Sequence, residues 1–188
     1  MSDNSFSFPG AAPLRAVGLS AAMAARWQAH LASAQTPATH LMRVTEVQRE
    51  GVTLHDGQSE RPARAWPGLI TRLAAEAQAL AVGDWVGAAC NEFGEWWAHE
   101  RLAPDTQLAR RLHDGRDKVT RVVLVSNVDT ALLVMGLDGD YNLRRLERYV
   151  ALVRLAGIAA VVVLTKADLC EQAAARCREV GQIGRAHV

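Results

Sequence analysis

Lysine is almost missing from this sequence: of 21 Lys and Arg residues, only Lys118 and Lys166 are lysines. Neither sits in a GxxxxGK string followed by Ser or Thr, because Lys118 follows Asp117 and Lys166 follows Thr165. A phosphate-cradling loop of that form is therefore excluded from this stretch of chain. Cysteine is scarce too. Cys90, Cys170 and Cys177 are odd in number and match neither a CxxC metal clip nor a disulfide framework, which fits a reducing compartment. No run reaches the roughly 18 apolar residues of a membrane-crossing helix. The start, Met1–Gly10, carries Asp3 and has neither the basic cluster nor the apolar stretch of an export signal. A cytoplasmic location is expected. A formal net charge of +1 gives no strong field of one sign, so any polyanionic partner must be met by local charge.

What remains is an ordinary globular composition. The 188 residues are 49% hydrophobic and 22% charged, enough apolar material for one medium domain or two small ones. Residues 1–38 read as an N-terminal extension with one amphipathic helix, Ser20–Leu31, on which Met23, Trp27 and Leu31 recur at helical spacing. Trp27 is expected to dock this helix onto the domain that follows.

From 39 to 104 the period is two. Leu41, Arg43 and Thr45 alternate with Met42, Val44 and Glu46, and Val52–His55 ends at the turn Asp56-Gly57. Further strands are expected around Ala63–Trp66, from Val82 through Val86 and from Trp96 to Leu102, with a helix at Thr71–Leu80. Five short antiparallel strands with one helix between the third and fourth suit an OB-fold β-barrel, with Val86 facing inward. Asp84-Trp85-Val86-Gly87 has the DxxG form of a nucleotide switch but reads as a turn opening a strand. Residues 105–118 read as a polar linker. Its Arg110, Arg111, His113 and Arg116 make either a solvated connector or a contact for RNA phosphate.

From 119 to 182 the grammar changes. Thr130–Met135 is a continuous apolar run, the pattern of a strand buried on both faces of a parallel sheet. Asn142–Ala156 is an amphipathic helix with Leu143, Leu146, Tyr149, Val150 and Val153 on one face, stopped by Gly157, and Ala159–Leu164 is a second buried strand. Strand, helix, strand is an α/β nucleotide-binding layout. Residues 183–188 match one reading frame of a widely used DNA-sequencing adapter and read as a non-native tail.

At the carboxyl end of the second strand stands Leu164-Thr165-Lys166-Ala167-Asp168-Leu169, where open parallel sheets bind ligands. Guanine presents an N1–H and a 2-amino group side by side, and one carboxylate accepts both hydrogen bonds. Adenine lacks that donor pair and would leave a desolvated carboxylate unpaired. Asp168 is placed for this, and the aliphatic stem of Lys166 is placed to cover a base while its ammonium stays hydrated or braces nearby loops.

Three blocks set the wider context: Ser126-Asn127-Val128-Asp129-Thr130, Asn142-Leu143-Arg144-Arg145-Leu146-Glu147-Arg148-Tyr149 and Val163-Leu164-Thr165-Lys166-Ala167-Asp168-Leu169. With the upstream Arg49-Glu50, Asp56-Gly57 and Val82-Gly83-Asp84-Trp85-Val86, they resemble the RsgA family of circularly permuted, ribosome-dependent GTPases from about Leu41 to Leu169. The resemblance implies an α+β two-domain chain: an OB-fold β-barrel followed by a truncated α/β domain of the P-loop GTPase type with permuted motif order. It implies that Thr165, Lys166, Ala167 and Asp168 read the guanine of GTP or GDP, although Thr165 stands where GTPases more often have Asn. In the family, the P-loop, the switches and a zinc-binding Cys/His segment follow the guanine motif. No catalytic or metal-binding residue is therefore expected here, and Mg²⁺ and zinc belong to the complete protein. Asn127 and Asp129 match a family motif near the domain junction and read as turn and hinge residues. The implied partners are the small ribosomal subunit and its rRNA, with no membrane, and the implied state is a monomer. The reading from another class is a stand-alone OB-type RNA-binding module using Arg43, Arg64, Trp66, Trp96 and Trp97.

Overall fold

A computed structural model describes residues 8, 10–33, 40–113 and 119–183. The tail read as non-native lies outside them from residue 184 onward. The chain divides into two compact units, Met1–Asn127 and Val128–Val188.

The first unit opens with α1 (Ala11–Leu14) and α2 (Ala21–Ser33), then winds β1 (His40–Val47), β2 (Val52–His55), β3 (Glu60–Ala65), β4 (Trp85–Cys90) and β5 (Trp96–Arg101) into a closed barrel of order β1-β2-β3-β5-β4. This is an OB-type barrel. All of its pairings are antiparallel except β3 with β5, which is parallel; the expectation of five antiparallel strands is corrected there. Closure is the reason: joining a third strand to a fifth across an intervening helix brings the two in the same direction. That helix, α3 (Pro67–Ala75), starts one turn earlier than its apolar spacing predicts. Pro67 at its first position, with φ already suited to a helix, sets the start.

Alternation along the strands sorts the side chains. Met42, Val44, Val52, Leu54, Val86, Ala88 and Ala98 fill the barrel interior, and Leu69 and Leu73 of α3 complete it. Leu41 and Trp85 point the other way, into a second cluster with Met23, Ala24 and Trp27 of α2. Trp27 is fully buried there, so it docks the helix as its spacing implied. Residues Gln107–His113, within the stretch read as a linker, form β6, which pairs antiparallel with β7 (Val119–Ser126). The Val-rich run Val122–Val125 supplies a ladder partner that the polarity of residues 107–113 conceals.

The Val82–Val86 motif is a tight turn that leads into β4. Gly83 stands at φ +88°, and a methyl group added to it would lie 2.0 Å from the carbonyl oxygen of Ser126. Its N–H donates to Val44 O at 2.8 Å. Asp84 is fully buried and accepts the Ala81 N–H at 2.9 Å, with Arg101 at 3.9 Å. Burial pushes its carboxyl above the usual range against the pull of those donors. Asp84 thus closes a turn and β4 opens at Trp85, so the DxxG string is a strand start. Asn127, at φ +54°, finishes the unit: its amide donates to Gly83 O at 2.9 Å and accepts the Asp105 N–H at 2.9 Å.

The second unit carries β8 (Thr130–Gly136), α4 (Leu143–Leu155), β9 (Ala159–Thr165) and α5 (Ala173–Ile183). Strands β8 and β9 pair in parallel, in register from Thr130↔Ala159 to Gly136↔Thr165. Asn142 caps α4 by accepting the Arg145 N–H at 2.9 Å, and the chain turns out of the helix at Gly157, φ +73°. Met135, Leu146 and Val150 are the core, with Leu133, Val162, Leu164 and Val180 against them. The other face differs from the sequence expectation of strands buried on both sides: Leu132 is 65% exposed, Val134 64% and Val161 45%. Among the described residues both helices that pack on this pair contact the same face, and Tyr149, assigned above to the apolar side of α4, is also exposed. No helix among the described residues is long and apolar enough to cross a membrane.

Gly83→Ala should destabilise the first unit by at least ~2 kcal/mol, since it adds both a positive-φ penalty and a collision with backbone. Chemical denaturation followed by tryptophan fluorescence measures it; unchanged stability would refute the close approach of Gly83 to Ser126.

Candidate functional site

Because β8 and β9 run parallel and end level with each other, the loops leaving them emerge side by side. Leu137 N–H donates to Thr165 O at 2.9 Å, so the ladder continues one step past Gly136. The Thr165 hydroxyl reaches back to Met135 O at 3.5 Å. Lys166 then takes up the left-handed conformation, φ +58°, uncommon for a residue with a side chain. A single 3₁₀ turn, Ala167–Leu169, follows, closed by Leu169 N–H to Lys166 O at 3.1 Å. The four residues singled out in the sequence thus leave a parallel strand together as a loop and one turn. Asp168 is exposed there, and its carboxylate has no hydrogen-bond or ion partner among the described residues.

The Lys166 ammonium has a partner. Its Nζ lies 2.6 Å from Asp138 Oδ2, in the loop that leaves β8. Asp138 also accepts the Asp140 N–H at 3.2 Å through Oδ1. A side chain on Gly136 would crowd this arrangement, since a methyl group there would lie 2.5 Å from Asp138 Oδ1 and 3.5 Å from Lys166 Cδ. Hydrogen bonding to Lys166 holds Asp138 below the usual carboxylate range, and the reciprocal bond raises Lys166 above the usual lysine range.

The β8 loop is in turn tied to both helices. Arg145 of α4 donates to Asp140 O at 2.6 Å and pairs with its carboxylate at 2.7 Å. Arg176 of α5 donates to Leu137 O at 2.7 Å, and its guanidinium lies 4.4 Å over the Tyr141 ring. The Tyr141 hydroxyl donates to Glu179 at 2.7 Å, and burial together with that carboxylate pushes the phenol up to about 12. Sequence reasoning missed Gly136, Asp138, Tyr141 and Arg176. The signal was available: the rule that ligands gather at carboxyl ends of parallel strands applies to both strands, and Leu137-Asp138-Gly139-Asp140 follows the first. The described residues hold no group of three His, Cys, Asp or Glu side chains placed for a metal ion.

Two solved structures share this architecture. YloQ, described as a circularly permuted GTPase, superposes with a TM-score of 0.54 at 19% identity over 78% of this chain and 48% of its own. YjeQ from Thermotoga maritima does so with a TM-score of 0.54 at 16% identity over 76% and 47%. The fold is that of the circularly permuted GTPases. Residues 104–187 match the family model RsgA GTPase. Among curated relatives, the small ribosomal subunit biogenesis GTPase RsgA of Opitutus terrae is 36% identical over 76% of this chain and 41% of its own length. Its counterpart from Syntrophotalea carbinolica is 40% identical over 55% of this chain and 30% of its own. The chain therefore spans well under half the length of these relatives.

The Lys166–Asp138 pair makes a titration prediction. Asp138 is depressed, so its contribution is complete above the ordinary carboxylate value of 3.8 and lost as pH falls. Lys166 is raised, so its contribution is complete below 10.5 and lost as pH rises through its own higher value. Because the chain has two lysines, ¹³C-methylation gives two lysine resonances that can be followed separately. Asp138→Asn should return Lys166 to the titration of an ordinary lysine; an unchanged curve would remove the pair.

Proposed function

We propose that this chain is the guanine-reading and RNA-facing part of a GTPase that acts in small ribosomal subunit biogenesis. Thr165, Lys166, Ala167 and Asp168 take the base, and the barrel meets rRNA. The observation that carries the guanine reading is the free, exposed carboxylate of Asp168 on a turn directly after a parallel strand. One carboxylate accepting the N1–H and the 2-amino group makes a paired, charge-assisted contact that adenine cannot offer. The braced Lys166 supports it. With its ammonium held by Asp138, its stem is available to lie along the flat of a purine.

Phosphate affinity must come from elsewhere in the protein. Guanine contacts alone supply about 1.5 to 3 kcal/mol per charged hydrogen bond before association costs are subtracted. Nucleotide binding by residues 1–188 is accordingly weak, in the millimolar range. In the complete protein, a P-loop and Mg²⁺ held outside the described residues would supply the charge neutralisation that in-line attack of water on the γ-phosphate requires. That machinery is proposed to follow this stretch in sequence, together with a zinc-binding segment.

Asp168→Asn tests the reading. In the native chain, GMP should shift the amide resonances of residues 165–169 and AMP should not. In the variant, the preference should pass to xanthosine monophosphate, whose 2-oxo group accepts a hydrogen bond from the new amide. Guanine preference retained in Asp168→Asn, or equal shifts with GMP and AMP in the native chain, would refute it. GTP incubated with the 188-residue chain should release no phosphate above background.

A further inference from the structure

On the outside of the barrel, where β3 and β5 run parallel, Arg64 pairs in register with Trp97. Ala63 and Ala98 fill the interior, so by alternation Arg64, Trp97 and His99 stand on the outer face. Trp66 joins them from the start of α3. Its N–H donates to Ala98 O at 2.8 Å, and Pro67 begins the helix immediately after it. The Trp66 ring meets Trp97 edge-on at 5.7 Å and lies tilted over His99 at 5.1 Å. Yet 47% of Trp66 is open to solvent. Three aromatic rings therefore gather on a surface where core packing does not require them.

These rings border an open hollow of about 340 Å³, closed on its other sides by Ala89, Cys90 and Asn91. The Asn91 carboxamide is spent within its own turn: its oxygen accepts from Phe93 and Glu95 N–H groups at 3.0 and 2.9 Å, and its nitrogen donates to Glu95 at 2.9 Å. The hollow thus offers flat π surface and little fixed polarity with which to tell one base from another. Two arginines stand beside it, with the Glu95 carboxylate on the far side of Asn91. The Arg64 guanidinium lies 5.9 Å over Trp97 and has no carboxylate partner among the described residues, while Arg72 borders the patch, bonded to His99 O at 2.9 Å. Burial lowers the His99 imidazole pKa, favouring its neutral, stacking form.

We propose that Trp66, Trp97 and His99, flanked by Arg64, form a stacking platform for unpaired bases of single-stranded RNA. The proposal rests on the reading above that the barrel meets RNA, and it assigns the place and the mode. Aromatic rings beside arginines take bases by their faces and phosphates by charge, with little sequence preference. A duplex, whose bases are already stacked, has no face to offer. The other barrel candidates named from sequence are otherwise engaged: Arg43 donates to the carbonyls of Val17 and Asn127, and Trp96 packs against the interior cluster under Arg61.

The test is fluorescence anisotropy of a labelled oligoadenylate of about eight nucleotides, within the usual site size of an OB-fold, titrated with the 188-residue chain. Single strands should bind and the matching duplex should not. Trp66→Ala should raise Kd about 5- to 100-fold, from the loss of one stacked base. Trp66→Phe should restore most of that affinity, and Arg64→Ala should weaken binding and lower the salt slope by about one contact. Asp168→Asn should leave oligonucleotide binding unchanged, so the outcome is separate from that of the guanine reading. Equal binding of duplex and single strand, or an unchanged Kd in a folded Trp66→Ala chain, would overturn the platform while leaving an RNA-binding barrel in place. No binding at all would overturn both the platform and the barrel's part in the proposed function.

Discussion

Parallel strand pairing is the constraint on which both units depend. Two strands that run in the same direction cannot be joined by a tight turn, so the chain must leave the sheet and come back. In the first unit it leaves after β3 as α3, which drops Leu69 and Leu73 into the barrel before β4 and β5 close it. In the second it leaves after β8 as α4, which sets Leu146 and Val150 against the sheet before β9 returns. Each excursion supplies the apolar face that its strands need. The same geometry decides where chemistry is placed, because parallel strands deliver their carboxyl ends, and hence their loops, to one edge.

Much of this was legible because both local periods are clean. Met42, Val44, Val52 and Leu54 alternate as a half-buried ladder must, and all four point inward. The apolar stripe Leu146, Val150, Val153 on α4 is buried as its spacing demands. The loop proposed to read guanine was legible for another reason: Thr165 to Asp168 follows an apolar run directly, so its position at a strand end could be read without knowing the sheet. What escaped were effects of partners distant in sequence. The strand Gln107–His113 is polar by itself and is made a strand by β7. Asp138 acquires its role only when register brings it beside Lys166, 28 residues away. The open face carrying Leu132 and Val134 has the same apolar signature as a covered one, since sequence records what a strand prefers and not what lies over it.

The brace around the β8 loop illustrates how little energy a positional device needs. The Lys166–Asp138 pair is solvent-exposed, and pairs of this kind add little to stability. Its value is geometric. It confines a long lysine side chain that would otherwise sample many rotamers, beside a residue already held in a left-handed backbone state. Arg176 and Tyr141 then fix the loop that carries Asp138 to α5. A mobile cation becomes part of a shaped surface, and Asp168 is left as the carboxylate in that loop still able to accept donors.

The level ending of β8 and β9 carries a topological consequence. When a recognition surface is assembled from loops at one edge of a sheet, its geometry depends on which strands are neighbours and not on the order in which ribosomes synthesise them. Old chain termini can be joined and new ones opened elsewhere, provided every strand keeps its neighbours. A motif that closes one protein can therefore open another with its contacts intact. A register such as that from Thr130↔Ala159 to Gly136↔Thr165 is what a rearrangement of this kind has to preserve, so that a shuffled motif order is a change in genealogy without a change in shape.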